Sequence, residues 1–171
     1  RDLETLSEMM KIKDKETVIN RPNRKGETAL HRACLKKSAV KVHLLIKNGA
    51  NKKANSENEM PAVADILISL INSDKKEDNE LFGQMMDLPN IPDFVNLKDR
   101  NGTTALHAAC QKNLPREAAL LIKMGAESQA NSQDEMPIFS LINSENDSSL
   151  ETFLEVLQDG EVDISDFVNK P

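Results

Sequence analysis

"GETALHRAC" (residues 26–34) returns as "GTTALHAAC" (residues 102–110), with seven of nine positions identical at an offset of 76 residues. The offset reaches well beyond the phrase: "HLLIKNGANKKANSENEMP" (43–61) answers to "ALLIKMGAESQANSQDEMP" (119–137) at 12 of 19 positions. "TVIN" (17–20) likewise corresponds to "DFVN" at 93–96 and again at 166–169. A phrase copied together with its neighbours is a structural unit. The unit also divides internally. Thr28 and Met60, 32 residues apart, each open an apolar segment, Thr104 and Met136 repeat that interval, and Met60 to Thr104 is 44. The surplus gathers around "NSDKKEDNE" (72–80), a polar stretch that reads as a lengthened loop. A period of about 33 residues with one expanded member is the signature of a stacked solenoid.

Local chemistry predicts two short helices per unit. In "TALHRACLKK" the apolar residues Ala29, Leu30, Ala33 and Cys34 share one helical face. Thr28 stands where a hydroxyl caps the helix start. Ser38 opens a second helix, "AVKVHLLIKN", with an apolar stripe at Val40, Leu44 and Leu45. Gly49, and Gly125 in the second copy, follow as left-handed terminators. In the two "EMP" segments Pro61 and Pro137 fall at the first helical position, where the missing N–H costs nothing. Met60 and Met136 cannot replace the threonine cap. Asn58 and Asp134 replace Gly26 and Gly102 and tolerate a positive φ.

The 171 residues carry five Phe and no Trp or Tyr, so the predicted core is aliphatic: Leu, Ile, Val, Ala and Met. No apolar run reaches the roughly 18 residues of a membrane span, and no basic-then-apolar leader opens the sequence. Cys34 and Cys110, the two cysteines, occupy the same place in both copies, which marks a repeated core position rather than a disulfide framework. That usage points to a reducing, intracellular compartment, the cytoplasm first and the nucleus second.

No residue pattern supplies chemistry. His31 and His107 each precede a cysteine by three residues, a spacing that resembles half a metal site or a nucleophile with its base. Both pairs lie inside the repeated phrase, far apart along the array, and a zinc site needs about four convergent ligands. They read as scaffold. His43 reads as packing or surface, the carboxylates form no paired motif, and the six glycines scatter among turns without a phosphate-cradling loop. The expectation is no catalysis, no metal and no cofactor.

"GETALHRACLKKSAVKVHLLIKNGAN" and "GTTALHAACQKNLPREAALLIKMGAE" closely resemble ankyrin repeats, in which a G-x-T-P-L-H-x-A-A phrase precedes a second helix ending L-L-x-x-G-A. Thr28, His31, Gly49, Thr104, His107 and Gly125 match that motif. "EMPAVADILISLI" and "EMPIFSLINS" match only in spacing and apolar positions, with Val63 and Phe139 at the histidine position. The resemblance implies an all-α solenoid with short β-hairpin-like fingers. It divides the chain into the second helix of a preceding repeat (1–19) and repeats at 20–52, 53–95 (divergent, with the long loop), 96–128 and 129–165 (divergent). The start of a further repeat follows at 166–171. The segments "LETLSEMMKI", "ELFGQMMDL" and "LETFLEVLQ" read as second helices of divergent repeats, so the array is expected to continue in both directions.

Arrays of this kind bind partner proteins through finger tips and the exposed face of each first helix. Here the charge is segregated. Arg21 to Lys53 holds ten bases against Glu27 alone, and Asp134 to Asp166 holds ten acids and no base. Solvated faces that keep an aliphatic array soluble account for most such charge, but separation this complete also suits electrostatic steering. The expected partner-binding residues are Arg21, Arg24 and Lys25 on one tip and Lys98 and Arg100 on another. Lys52 and Lys53 stand at the base of the finger between them. Arg32, Lys36 and Lys112 extend the stripe over the first helices, and Leu97 is a small apolar anchor. The expected function is a monomeric, non-catalytic protein-interaction module, a scaffold or adaptor in signalling, that takes a partner protein with an acidic segment. The alternative is the targeting or regulatory region of a larger enzyme such as a ubiquitin ligase, a kinase or a secreted microbial effector. Nucleic acid is disfavoured, because the basic region lacks aromatics for base stacking.

Overall fold

A computed structural model of the protein describes residues 14–52, 62–128, 137–143 and 147–158. Nine α-helices lie in these segments. They are α1 (Lys15–Ile19), α2 (Ala29–Leu35), α3 (Ala39–Lys47), α4 (Val63–Ile71) and α5 (Lys76–Met86), then α6 (Ala105–Gln111), α7 (Pro115–Lys123), α8 (Pro137–Ile142) and α9 (Asp147–Gln158). A 3-10 turn at Ile91–Asp93 separates α5 from α6. No strand occurs among the described residues, and the fingers before α2 and α6 are hydrogen-bonded turns.

The helices stack in two columns. α2, α4, α6 and α8 follow one another in the first, and in the second α3 packs on α5 and α7 on α9. Within pairs, α2 meets α3, α4 meets α5 and α6 meets α7. A pair this short cannot bury its apolar face alone, so the neighbour completes it. The effect is visible on the repeated phrase. Ala105 and Ala108 of α6, which has α4 and α8 on either side, are 0% and 4% exposed, whereas the matching Ala29 and Arg32 of α2 are exposed. Leu30, Ile46, Leu67, Met85, Leu106 and Leu121 fill the interior, joined by Phe82, Phe94 and Phe153. The core is thus not purely aliphatic: three of the four phenylalanines among the described residues are buried in it.

Both helices of each copy end in the same device. After α3 the Gly49 N–H donates to the Ile46 carbonyl (3.0 Å) and the Ala50 N–H to Leu45 (2.9 Å). After α7, Gly125 and Ala126 repeat this with Ile122 and Leu121. This double bond requires a left-handed residue, and Gly49 and Gly125 supply it at φ +93° and +86°. The turns after α2 and α6 use the same pattern without glycine. Lys37 (φ 49°) and Asn113 (φ 54°) stand in the left-handed region, with Ser38 bonded back to Ala33 and Leu114 to Ala109.

Further sequence expectations change. The buried stripe of α3 is Val42, His43, Leu45 and Ile46, while Val40 is exposed and Leu44 half-buried. "NSDKKEDNE" is not a long loop: only residues 72–75 link the helices, and Lys76 already opens the 11-residue α5. The Ser73 hydroxyl bonds Asp78 at 2.5 Å, and Glu77 and Asp78 meet the positive helix start. α4 starts at Val63, beyond Pro61, and Pro137 is the first described residue of α8. Val63 and Phe139 are not equivalent: Val63 is fully buried, whereas Phe139 is 58% exposed. Met60, Met136, Asn58, Asp134 and Pro61 lie outside the described residues, as do residues 1–13 and 166–171.

Candidate functional site

Each of the two described fingers is shaped by one short polar side chain. Asn23 Oδ1 accepts the N–H groups of Lys25 (2.8 Å) and Glu27 (3.0 Å), while the Asn23 N–H donates to the Glu27 carbonyl. In the second copy Asp99 holds Asn101 and Thr103 in the same way, both at 2.8 Å. Gly26 and Gly102 close the two turns at φ 76° and 75°. Arg24 and Arg100 are the first residues after the organising Asn or Asp, at equivalent positions, and both are exposed. Arg21, Lys25 and Lys98 are exposed too. Leu97 is half-buried against the core, so only part of its side chain faces outward.

The helical residues expected to extend the basic stripe differ. Arg32 lies 3.8 Å from Glu27, and Lys36 is exposed at the end of α2. Lys112 reaches across the stack: its ammonium donates to the Asn72 carbonyl at 2.9 Å and lies 3.7 Å from Asp74. It thereby crosses the rim of a crevice floored by Leu70, Ile71, Phe82 and Leu114. Lys52 lies 3.9 Å from Asp93, and Lys53 is outside the described residues.

The residues that resemble catalytic groups hold the scaffold. Both the N–H and the hydroxyl of Thr28 reach His31 Nδ1, at 3.1 and 2.9 Å. Thr104 and His107 repeat this at 3.2 and 2.8 Å, and Thr104 Oγ1 accepts the His107 N–H at a long 3.5 Å. A backbone N–H only donates, so Nδ1 must be the acceptor and the proton sits on Nε2. The imidazole, more than the hydroxyl, is what caps the helix. Cys34 and Cys110 are free thiols, and burial pushes each up to about 12, with the Asp65 charge adding to the effect at Cys34. Thiols held protonated are poor nucleophiles. His43 is lowered by burial and then by Lys47. Among the described residues no three His, Cys, Asp or Glu side chains gather as a metal site, and no helix is long and apolar enough to cross a membrane.

Sequence reading missed the role of Asn20 and Asn96. Asn20 Nδ2 donates to the Gly49 carbonyl (2.8 Å) and its Oδ1 accepts the Asn51 N–H (3.0 Å). Asn96 does the same to Gly125 and Glu127, both at 2.8 Å. The recurring asparagine of "TVIN" and "DFVN" was the available signal. It ties the entry of each copy to its exit and so fixes where the finger stands.

The Ankyrin repeat family profile matches residues 25–58 and 101–135. No curated protein matches the chain. Among solved structures, an ankyrin repeat domain from Acinetobacter baumannii AYE is similar at 18% identity and a TM-score of 0.53, over 95% of this chain and 77% of that one. A second ankyrin repeat protein is 19% identical over 96% of this chain and 76% of its own, with a TM-score of 0.47. Two segments of the chain therefore match the ankyrin repeat itself, and the two-column stack has the fold of a solved ankyrin repeat domain.

Proposed function

We propose that the chain is a non-catalytic protein-interaction module that takes an acidic segment of a partner protein along its fingers. Ankyrin repeats are in general modules for protein–protein interaction. The supporting observation is the pair of equivalent tips. Arg24 and Arg100 project from turns whose backbone is already hydrogen-bonded by Asn23 and Asp99, so presenting them to a partner requires little further ordering. Arg21, Lys25 and Lys98 add charge beside them, and Leu97 offers its outward edge as the anchor. Arg32 and Lys112, which already face Glu27 and Asn72, contribute less. On this reading the four repeats span 20–52, 53–95, 96–128 and 129–165, and the module acts as an intracellular monomer. Service as the targeting region of a larger enzyme is compatible with the same surface.

Exposed ion pairs are each worth about 0–1 kcal/mol, so affinity requires several together. The test is to capture a partner from the native cell type and measure association at low salt for wild type and for Arg24→Glu/Lys25→Glu/Arg100→Glu. A rate lowered at least about tenfold at low salt, converging on wild type near 1 M, supports the reading, because the Debye length falls from about 10 Å at 0.1 M to about 3 Å. An unchanged rate excludes the fingers.

A further inference from the structure

Leu35 and Val40 stand on either side of the α2–α3 turn and are 64% and 46% exposed. This turn is at the opposite end of α2 from the finger, about 10 Å away at 1.5 Å per residue. The second copy provides an internal control. Its α6–α7 turn has the same left-handed residue and the same pair of backbone bonds, yet it carries Gln111 and Arg116 at the matching positions. The fold therefore does not need aliphatic side chains there. Nor does their exposure follow that of Ala29 and Arg32, which are open in this copy but whose counterparts Ala105 and Ala108 are buried in the second. There α6 packs on both α4 and α8, and Gln111 and Arg116 remain exposed all the same. These positions face outward even in a stacked repeat, and one copy spends them on a leucine and a valine.

The surroundings indicate what covers them. Lys36 and Lys37 form the turn, Lys41 lies one position beyond Val40, and no acid occurs from Arg32 to Lys47. We propose that Leu35 and Val40 are the apolar anchors of a second docking surface, separate from the fingers, for an acidic peptide segment that carries aliphatic side chains. Charge complementarity steers such a segment, and burial of the two side chains retains it. The surface does not depend on the finger reading, and either can fail alone.

The test is selection of short displayed peptides composed of Asp, Glu, Leu, Ile, Ser and Gly. Three forms of the whole chain serve as target: wild type, Leu35→Gln/Val40→Arg, and Arg24→Glu/Arg100→Glu. The first double variant installs residues that the second copy already carries on the same turn, so the fold is retained. It also adds a positive charge, so weaker binding of acidic peptides by this variant cannot be electrostatic. Wild type and the finger variant should enrich peptides that combine acids with Leu or Ile. Leu35→Gln/Val40→Arg should bind them at least about tenfold more weakly, the effect of losing two buried aliphatic side chains. Enrichment of peptides without Leu or Ile, equal binding by Leu35→Gln/Val40→Arg, loss of binding in the finger variant, or no enrichment on wild type overturns the proposal.

Discussion

The carboxamide of Asn96 reads the backbone on both sides of Ala126: its Nδ2 donates to the Gly125 carbonyl and its Oδ1 accepts the Glu127 N–H, each at 2.8 Å. This is a side chain imitating a strand partner where no strand forms. It joins residues 29 and 31 positions apart in sequence, the two ends of one copy.

Asn96→Ala should therefore destabilise the fold by about 1–2 kcal/mol, two hydrogen bonds at roughly 0.5–1.5 kcal/mol each less what solvent restores. Asn96→Asp should cost at least as much despite its similar shape, since a carboxylate keeps the acceptor but sets oxygen against the Gly125 carbonyl. Urea denaturation with an unchanged slope and a lowered midpoint measures both. If Asp is tolerated and Ala is not, the donor bond contributes nothing.

The repeated phrase carried most of the architecture, because Thr28, His31, Leu30 and Cys34 meet the same neighbours as Thr104, His107, Leu106 and Cys110. Identical surroundings keep identical residues. What escaped sequence reading is what one side chain does to distant backbone: Asn20 and Asn96 look like ordinary loop residues until Gly49 and Gly125 are placed beside them. The 72–80 stretch misled for a different reason. Its polarity describes an exposed helix start as well as a loop, and composition does not separate the two. Phe139 stands 76 residues after Val63 yet is exposed where Val63 is buried, a difference that the offset alone does not carry. For the candidate site, the positions of Arg24 and Arg100 followed from the offset, but the engagement of Lys112 by Asn72 depends on the α4–α5 link.

Left-handed positions give opposite predictions by residue. A non-glycine residue in this region is strained by about 1–2 kcal/mol. Lys37→Gly should stabilise by about 0.5–1 kcal/mol after the entropy of the added glycine is subtracted, and Asn113→Gly by less, since asparagine tolerates the region. Gly125→Ala should destabilise by about 1 kcal/mol or more through φ alone, as nothing lies within 4 Å of the added methyl. Gly83→Ala, equally open but inside helix α5, should stabilise by about 0.5–1 kcal/mol. Thermal midpoints that rise for Lys37→Gly and Gly83→Ala and fall for Gly125→Ala check all three.

The buried thiols give a pH dependence with a definite sign. Their folded value of about 12 stands above the ordinary thiol value of 9.0, so above pH 9 the native state holds protons that the unfolded chain has released. Their contribution is fully present below pH 9 and is lost as pH rises toward 12, at up to about 1.4 kcal/mol per pH unit for each thiol. Cys34→Ala/Cys110→Ala should flatten that alkaline decline, and in wild type at pH 8 both thiols should react with iodoacetamide only as fast as the repeats open. Alkylation as fast as that of a free thiol would contradict their burial.

Charge reversal should separate binding from stability across the basic stripe. Arg24 and Arg100 sit on turns held by Asn23 and Asp99 rather than by their own guanidinium groups. Arg24→Glu/Arg100→Glu should therefore change stability by no more than about 0.5 kcal/mol per substitution while lowering the association rate with an acidic partner. Lys112→Glu removes the bond to the Asn72 carbonyl and sets a new carboxylate toward both that oxygen and Asp74. It should cost about 1 kcal/mol or more in stability and affect association only modestly. Hydrogen exchange locates the difference. Lys112→Glu should speed exchange at the start of α5, where Ser73 and Asp78 organise the helix, and the finger variant should leave that region unchanged. If Lys112→Glu preserves stability and abolishes association, Lys112 serves the partner rather than the stack.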